Sequence, residues 1–97
     1  KRHKPDYFLF SHAVDGFSLA LDFKVRRNEK LIKLTDELNQ IVLEGNGRFY
    51  FAKDSALTPD VVAHYLGEDT IADFKKLKEK ADPANILQTD LYKRCFG

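Results

Sequence analysis

Apolar and polar residues alternate strictly in one stretch near the N-terminus. Large apolar side chains occupy every second position there, at Phe17, Leu19, Leu21, Phe23 and Val25. A period of two is typical of a half-buried β-strand, because successive side chains of a strand point to opposite faces. The pattern predicts a strand over 17–25 with its apolar face in the core. Its other face is small and polar, with Ser18, Ala20 and Asp22.

Two shorter runs predict further strands. Residues 7–10 (YFLF) follow Pro5, and residues 48–51 (RFYF) alternate in the same way as 17–25. The dipeptide Asp15-Gly16 is a turn signal that suits a connection between antiparallel neighbours. Together these runs predict a small antiparallel sheet.

The period changes to that of a helix after Asn28. One stripe of this helix carries five apolar residues, Leu31, Leu34, Leu38, Ile41 and Val42. Asn28 suits the N-cap position, and Gly45 suits the end of the helix. Since an apolar stripe needs a surface to cover, we expect this helix to pack on the sheet.

Two more helices are predicted from their start and stop signals. The run 58–60 (TPD) supplies an N-cap, a first-turn proline and a first-turn carboxylate for a helix that ends near Leu66. The pair Thr70 and Asp73 resembles a capping box for a third helix, which stops before Pro83. This third helix directs three apolar residues inward, namely Ile71, Phe74 and Leu77.

Strands that precede and separate helices in a short chain indicate an α+β fold. We expect one domain over residues 1–97, in which a small antiparallel sheet packs against the helices. Residues 84–97 should add one or two helical turns. A chain of 97 residues fits a single domain with a modest core.

Composition narrows the class of protein. The 16 Lys and Arg residues nearly balance the 15 Asp and Glu residues, so charge gives no reason to expect nucleic acid as a partner. Cys95 is the single cysteine, which excludes an internal disulfide and favours a reducing compartment. No apolar run approaches the roughly 18 residues of a membrane span. We expect a soluble, cytoplasmic chain and, because the sequence contains no methionine, an excised piece of a longer protein.

Three short motifs resemble binding sites but have structural explanations. Residues 45–47 (GNG) follow a helix and precede a strand, the reverse of a phosphate-binding loop, so we interpret them as a helix cap and turn. The histidines at positions 3, 12 and 64 are too widely spaced to predict a metal site. The lysines at positions 75, 76, 78 and 80 fall on the polar side of the third helix, where we expect a solvated face.

The run 50–54 (YFAKD) places a hydroxyl, an ammonium and a carboxylate together at the end of a predicted strand. Two interpretations stay open, a ligand site or a surface turn with a local ion pair. In an unbroken strand Tyr50 and Lys53 point to opposite faces. They can share a site only if the chain turns or bulges near Ala52.

Three longer motifs follow one another through nearly the whole chain. Residues 16–23 (GFSLALDF) match a G-aromatic-x-x-x-x-DF strand, residues 45–59 (GNGRFYFAKDSALTP) a GGR-aromatic-Y-x-AKD pattern, and residues 80–94 (KADPANILQTDLYKR) a closing segment with DP, SD and R. In this order they resemble the C-terminal region of FAD-linked oxidoreductases of the vanillyl-alcohol oxidase type. Within that family the resemblance is closest to the decaprenylphosphoryl-ribose 2-oxidases and related sugar or alditol oxidases.

The resemblance implies catalytic roles for two residues. Tyr50 and Lys53 match the family's active-site tyrosine and lysine, near the flavin and the substrate. An ammonium in such a site stabilises the charge of a reduced flavin or orients the substrate oxygen. A tyrosine hydroxyl can position the reacting alcohol, but it is a poor base without help.

The same resemblance places the small polar face of 17–25 in the pocket. Ser18 and Ala20 match pocket-lining positions, where the ribose oxidases usually carry a larger amide residue and can carry a cysteine. Small side chains leave room for a ring system, and Asp22 lies on the same face. Either Asp22 or Asp54 could pair with Lys53.

The implied whole is an FAD-dependent oxidoreductase that oxidises an alcohol of a sugar-like or lipid-linked substrate by hydride transfer to flavin. This chain would be the last part of its substrate domain, with residues 82–97 as a tail returning to an upstream FAD-binding domain. The isolated piece would be inactive, because FAD is bound mainly upstream. The resemblance leaves membrane association open. The alternative is a non-catalytic α+β interaction domain in which the run 50–54 is a structural corner.

Overall fold

The regular elements in the described part of the chain are helices. A computed structural model describes residues 3–24 and 28–97. Its elements, in chain order, are α1 (Glu29–Glu44), a 3-10 turn (Phe51–Lys53), α2 (Pro59–Leu66), α3 (Glu68–Ala81) and α4 (Asp90–Cys95). The chain divides into two compact units, a first unit of Lys1–Ala56 and a second unit of Leu57–Gly97.

The predicted antiparallel sheet is absent from the described residues, so the α+β prediction is wrong. Residues 8–10 form a bend and a turn, residues 17–24 form no strand, and residues 48–50 lead into the 3-10 turn. Val25, the end of the clearest predicted strand, lies outside the described residues. A strand needs a neighbouring strand to pair its backbone N–H and C=O groups, and alternation of side chains does not supply one.

The apolar face predicted for 17–25 is also not in a core. Phe17 and Leu19 are 74% and 83% exposed, and Leu21 and Phe23 are 55% and 41% exposed. The prediction that these side chains are buried is therefore wrong for residues 17–23. The sequence has the alternating pattern, but no described residues bury its apolar side chains.

Helix α1 confirms the prediction for this segment. The Asn28 side chain accepts a hydrogen bond from the Leu31 N–H at 2.9 Å, as an N-cap residue does. The helix ends at Gly45, as expected. Its buried residues are Asn39 and Leu43, whereas Ile41 of the predicted stripe is 63% exposed. The apolar stripe is thus only partly covered.

The turn after α1 is a helix cap, as interpreted from the sequence, but Gly45 is not its left-handed residue. Asn46 has the positive φ, 51°, a conformation that asparagine tolerates better than most residues. Gly47 is required for another reason. A Cβ at Gly47 would lie 2.6 Å from Val42 Cγ1 and 2.8 Å from the Val42 carbonyl oxygen.

The second unit is built around α2, which contacts both α3 and α4. The Thr58 side chain caps α2 with Pro59 in its first turn, which confirms the predicted start. The unit's buried apolar residues are Leu57, Val61, Val62, Leu66, Cys95 and Phe96. Arg94 Nε donates to the Leu57 carbonyl at 3.1 Å and ties α4 to the start of the unit. The predicted helical turn in the tail is therefore present as α4.

Helix α3 begins earlier than its predicted capping box. Its N-cap is Gly67, with φ 80°, a left-handed conformation that favours glycine. Thr70 consequently lies inside the helix. Phe74 points inward as predicted, with its ring centroid 4.8 Å from that of Phe96. Leu77 does not, because it is 64% exposed.

One lysine of α3 departs from the expected solvated face. The side chain of Lys78 is only 15% exposed, and its ammonium is paired with the Asp82 carboxylate. The same ammonium donates to Asn85 Oδ1 at 3.0 Å and lies 5.0 Å from the centroid of the Tyr92 ring. A lysine that is mostly withdrawn from water needs such partners.

Asp82 also caps the loop that follows α3. Its carboxylate accepts hydrogen bonds from the N–H groups of Ile86 at 3.0 Å and Leu87 at 2.9 Å. The Lys78 hydrogen bond, followed by these two backbone donors, lowers the pKa of Asp82 from 3.8 to about 2. The carboxylate thus joins the end of α3 to the tail.

Replacing the carboxylate should destabilise the second unit in a pH-dependent way. We expect Asp82→Asn to lower the melting temperature at pH 7, because the amide keeps the shape but loses the charge that pairs with Lys78. The pKa of Asp82 is lower in the folded chain than in the unfolded chain. Its contribution is therefore fully present above about pH 4 and is lost as the pH falls through about 2. Circular dichroism melts at several pH values should show the two proteins converging in acid.

Asp73→Asn is the matched control for this measurement. Asp73 pairs with Lys76 on the same helix at 3.3 Å, but their side chains are 65% and 75% exposed. Exposed pairs contribute little to stability, so we expect almost no change in melting temperature. Equal losses in the two variants would show that Asp82 has no special role.

Candidate functional site

The 3-10 turn decides whether Tyr50 and Lys53 can share a site. Tyr50 is the extended residue before the turn, and the Lys53 N–H donates to the Tyr50 carbonyl at 2.9 Å. The chain therefore turns at Phe51–Lys53, close to Ala52, as a shared site requires. Strand alternation therefore ends at Tyr50, whose backbone is extended, and it no longer determines how the two side chains are placed.

Lys53 is paired with Asp22, one of the two carboxylates proposed from the sequence. The Lys53 ammonium donates to Asp22 Oδ1 and joins segments that are 31 residues apart in sequence. The two side chains are 48% and 86% exposed, so the pair contributes little to stability. Its importance is positional, since it fixes where the ammonium lies.

Tyr50 contacts His12, one of the three widely spaced histidines of the sequence. The centroids of the His12 and Tyr50 rings are 4.8 Å apart, with the ring planes inclined by 51°. Beside them the rings of Phe10 and Phe51 are 5.4 Å apart. No local sequence signal links His12 to Tyr50, because their contact depends on how the intervening chain folds back.

A buried asparagine anchors the chain just after the turn. Asn39 is 7% exposed, and its Nδ2 donates to the Ala56 carbonyl at 2.9 Å. The bond ties the segment that leaves the turn to α1. Sequence reasoning missed Asn39, since an asparagine inside an amphipathic helix is usually expected on the solvent side.

The structure brings together some of the predicted site residues and not others. It pairs Asp22 with Lys53, whereas Tyr50 precedes the turn and its ring contacts His12. Ser18 and Ala20 are exposed, and neither forms a hydrogen bond with Tyr50 or Lys53 in the described part of the chain. The first unit therefore presents a hydroxyl, an ammonium and a carboxylate on an open surface. These groups can orient a polar ligand, but they do not enclose one.

A cleft of about 420 Å³ lies elsewhere, in the second unit. Its wall combines two lysines with a glutamate, two amides and two aromatic rings. The lining residues are Lys75, Glu79, Asn85, Gln88, Tyr92, Lys93, Phe96 and Gly97. None of the predicted site residues lines this cleft.

Residues 3–24 and 28–97 contain neither a candidate membrane span nor a candidate metal cluster. No helix in these ranges combines the length and apolar character needed to cross a membrane. No three His, Cys, Asp or Glu side chains within them group as metal ligands.

The chain is similar to part of a longer protein. No protein-family model matches the chain, and no solved structure matches it. Three curated proteins do match. One is an uncharacterized protein in the mprA 5' region of Streptomyces coelicolor, which is 32% identical over 80 residues. The match covers 81% of this chain and 21% of that protein, so the chain spans about a fifth of the relative's length.

Removing the Asn39 amide should loosen the turn. We expect Asn39→Ala to reduce the free energy of unfolding by about 1–3 kcal/mol, because the Ala56 carbonyl loses its donor in a partly buried place. Urea denaturation followed by circular dichroism measures the change. Gln40→Ala, at the exposed neighbouring position of α1, should stay within about 0.5 kcal/mol of the parent chain. If the two variants lost equal stability, Asn39 would not be an anchor.

Proposed function

We propose that this chain is the C-terminal part of the substrate domain of an FAD-dependent oxidoreductase. The parent enzyme oxidises an alcohol of a sugar-like or lipid-linked substrate by hydride transfer to flavin. The observation that carries the proposal is the ion pair between Lys53 and Asp22. It joins two separate motifs, GFSLALDF and GNGRFYFAKDSALTP, and its ammonium is the one that the family resemblance assigns to the active site. Unrelated pattern matches would have no reason to meet there.

Each side chain has a task that follows from its chemistry. The Lys53 ammonium attracts negative charge that develops during the reaction or donates to the substrate oxygen. Asp22 holds that ammonium in place, and Tyr50 orients the reacting hydroxyl. Bound FAD supplies the hydride acceptor.

The donor groups of this chain suit the flavin ring of FAD and not its phosphates. An ammonium and a phenol on the 3-10 turn suit contact with an electron-rich ring or with a substrate oxygen. The glycine-rich run 45–47 is occupied in capping α1, with the Gly47 N–H donating to the Val42 carbonyl at 2.7 Å. The phosphates of FAD therefore fall to an upstream domain, which is the partner we propose for this chain.

The openness of the site supports a partner as well. Tyr50 is 55% exposed and the Lys53 side chain 48% exposed, whereas charge stabilisation in catalysis works best in a water-excluded site. An upstream domain would supply the missing walls, and the isolated chain would be inactive. The relative from Streptomyces coelicolor is long enough to contain such a domain, since the match covers only 21% of it.

We also propose the cytoplasm as the compartment of the parent protein. Cys95 is buried and is the single cysteine of the sequence. A sequence with one cysteine forms no internal disulfide, which suits a reducing compartment.

A non-catalytic interaction domain is the second candidate. The exposed side chains of Phe17, Leu19 and Leu21 favour it, because a run of exposed apolar residues often marks a surface for another protein. In that case the pair of Lys53 and Asp22 would be a surface corner without a chemical role.

Lys53→Ala in the full-length parent protein separates the two candidates. The first requirement is a flavin absorbance spectrum in the purified parent, bleached without oxygen by an alcohol from a panel of alditols and sugar phosphates. We expect Lys53→Ala to slow that bleaching by about 10²- to 10³-fold, since it removes one charge-stabilising donor. The flavin spectrum and the melting temperature should change little, because the lost pair is exposed.

Lys33→Ala is the matched control for the loss of a cation. Lys33 pairs with Glu37 at 3.8 Å on the exposed side of α1, with side chains 80% and 62% exposed. We expect the rate of bleaching to stay the same. A parent that contains no flavin, or a Lys53→Ala protein with full activity, would favour the interaction domain.

A further inference from the structure

We propose that His12 is the positioning residue for Tyr50. The inference rests on the proposed function, in which Tyr50 orients the reacting hydroxyl of the substrate. His12 does not touch the reacting atoms in this scheme. It holds the Tyr50 ring at one angle, so that the tyrosine hydroxyl is in place before the substrate binds.

The ring contact is the direct observation. The two ring centroids lie 4.8 Å apart with an inclination of 51°, which is within the range where aromatic rings attract each other. Tyr50 is otherwise 55% exposed, so few other groups restrict its side chain. No hydrogen bond joins the two side chains in the described part of the chain. The contact is therefore one of ring packing, and the shape of the His12 ring is what matters.

His12 can act in this way because its neighbours are fixed. Ser11 Oγ donates to Asp6 Oδ2 at 3.2 Å, and the Ala13 N–H donates to Ser11 Oγ at 3.1 Å. The Asp6 N–H donates in turn to the Ala13 carbonyl at 3.2 Å, and Ala13 is buried. Both residues beside His12 are thus tied to Asp6. A side chain with such support holds its orientation better than one on a free loop.

The same segment contacts the turn at two further points. The rings of Phe10 and Phe51 pack 5.4 Å apart, and the Arg48 guanidinium donates to the Leu9 carbonyl. The contact between His12 and Tyr50 is therefore part of a longer interface within the first unit. That interface places Tyr50 on one side of the turn while Asp22 places Lys53.

The test compares two variants of the full-length flavoprotein, one that removes the ring at position 12 and one that keeps an aromatic ring there. The measurement is the limiting rate of flavin reduction in a single turnover, with the alditol or sugar phosphate that bleaches the parent enzyme. We expect His12→Ala to lower this rate about tenfold, because small misplacements of a reacting group are costly. The apparent substrate dissociation constant should change less than the rate. His12→Phe should restore the rate to within about twofold, since it keeps a ring at the same place.

Two further variants make the outcome specific. His64→Ala removes an exposed histidine from α2 and should leave the rate unchanged. In a Tyr50→Phe background, His12→Ala should have almost no additional effect, because the hydroxyl that it positions is already gone. A merely structural role of His12 would lower the rate by the same factor in both backgrounds.

The results separate failure of this inference from failure of the proposed function. A slow Tyr50→Phe enzyme together with a fully active His12→Ala enzyme would overturn the role of His12 and leave the function standing. Equal effects of His12→Ala with and without the Tyr50 hydroxyl would overturn it too. A parent protein without flavin would overturn both proposals.

Discussion

The hydrogen bond from the buried Asn39 amide to the Ala56 carbonyl is the contact on which the position of the 3-10 turn in the first unit depends. It fixes to α1 the chain that leaves the 3-10 turn, and a buried amide is expensive to leave unpaired. With that end of the turn held, Lys53 can meet Asp22 and Tyr50 can meet His12. Both of these contacts are exposed and individually weak. These two contacts orient the side chains of Lys53 and Tyr50, while the hydrogen bond of the buried Asn39 amide holds the backbone of the turn.

In the second unit a carboxylate, and not a buried amide, holds a loop in place. Its core around Val62 is small, and the tail after α3 has few buried side chains of its own. The Asp82 carboxylate supplies the missing constraint, because it binds the Lys78 ammonium and two backbone N–H groups at once. A charge with three donors is well satisfied, unlike the exposed pair of Asp73 and Lys76. The contribution of an ion pair to the stability of this chain therefore depends on its burial and on the number of its hydrogen-bond partners.

The proposed function joins these physical features to a longer protein. The Lys53 ammonium and the Asp22 carboxylate pair on an open surface, with Tyr50 at the start of the same turn, and such a surface is useful to an enzyme only if another domain closes over it. The exposed apolar residues at 17–23 are compatible with such a neighbour, and equally with a partner in a non-catalytic role. What favours the enzyme is the position of the pair of Lys53 and Asp22 within two motifs of one family resemblance.

The amino-acid sequence by itself determined where α1 and α2 begin and end. Asn28 and Thr58 cap α1 and α2 as predicted, because a cap and an i to i+4 hydrogen bond involve only residues close in sequence. The carboxylate partner of Lys53 was also among the predicted alternatives. The tertiary structure alone decided that the alternating run at 17–24 forms no strand, since a strand requires a partner from a distant part of the chain. It alone brought His12 to Tyr50, buried Asn39 and partly buried Lys78, because such contacts depend on how the whole backbone folds back and leave no periodic trace in the sequence.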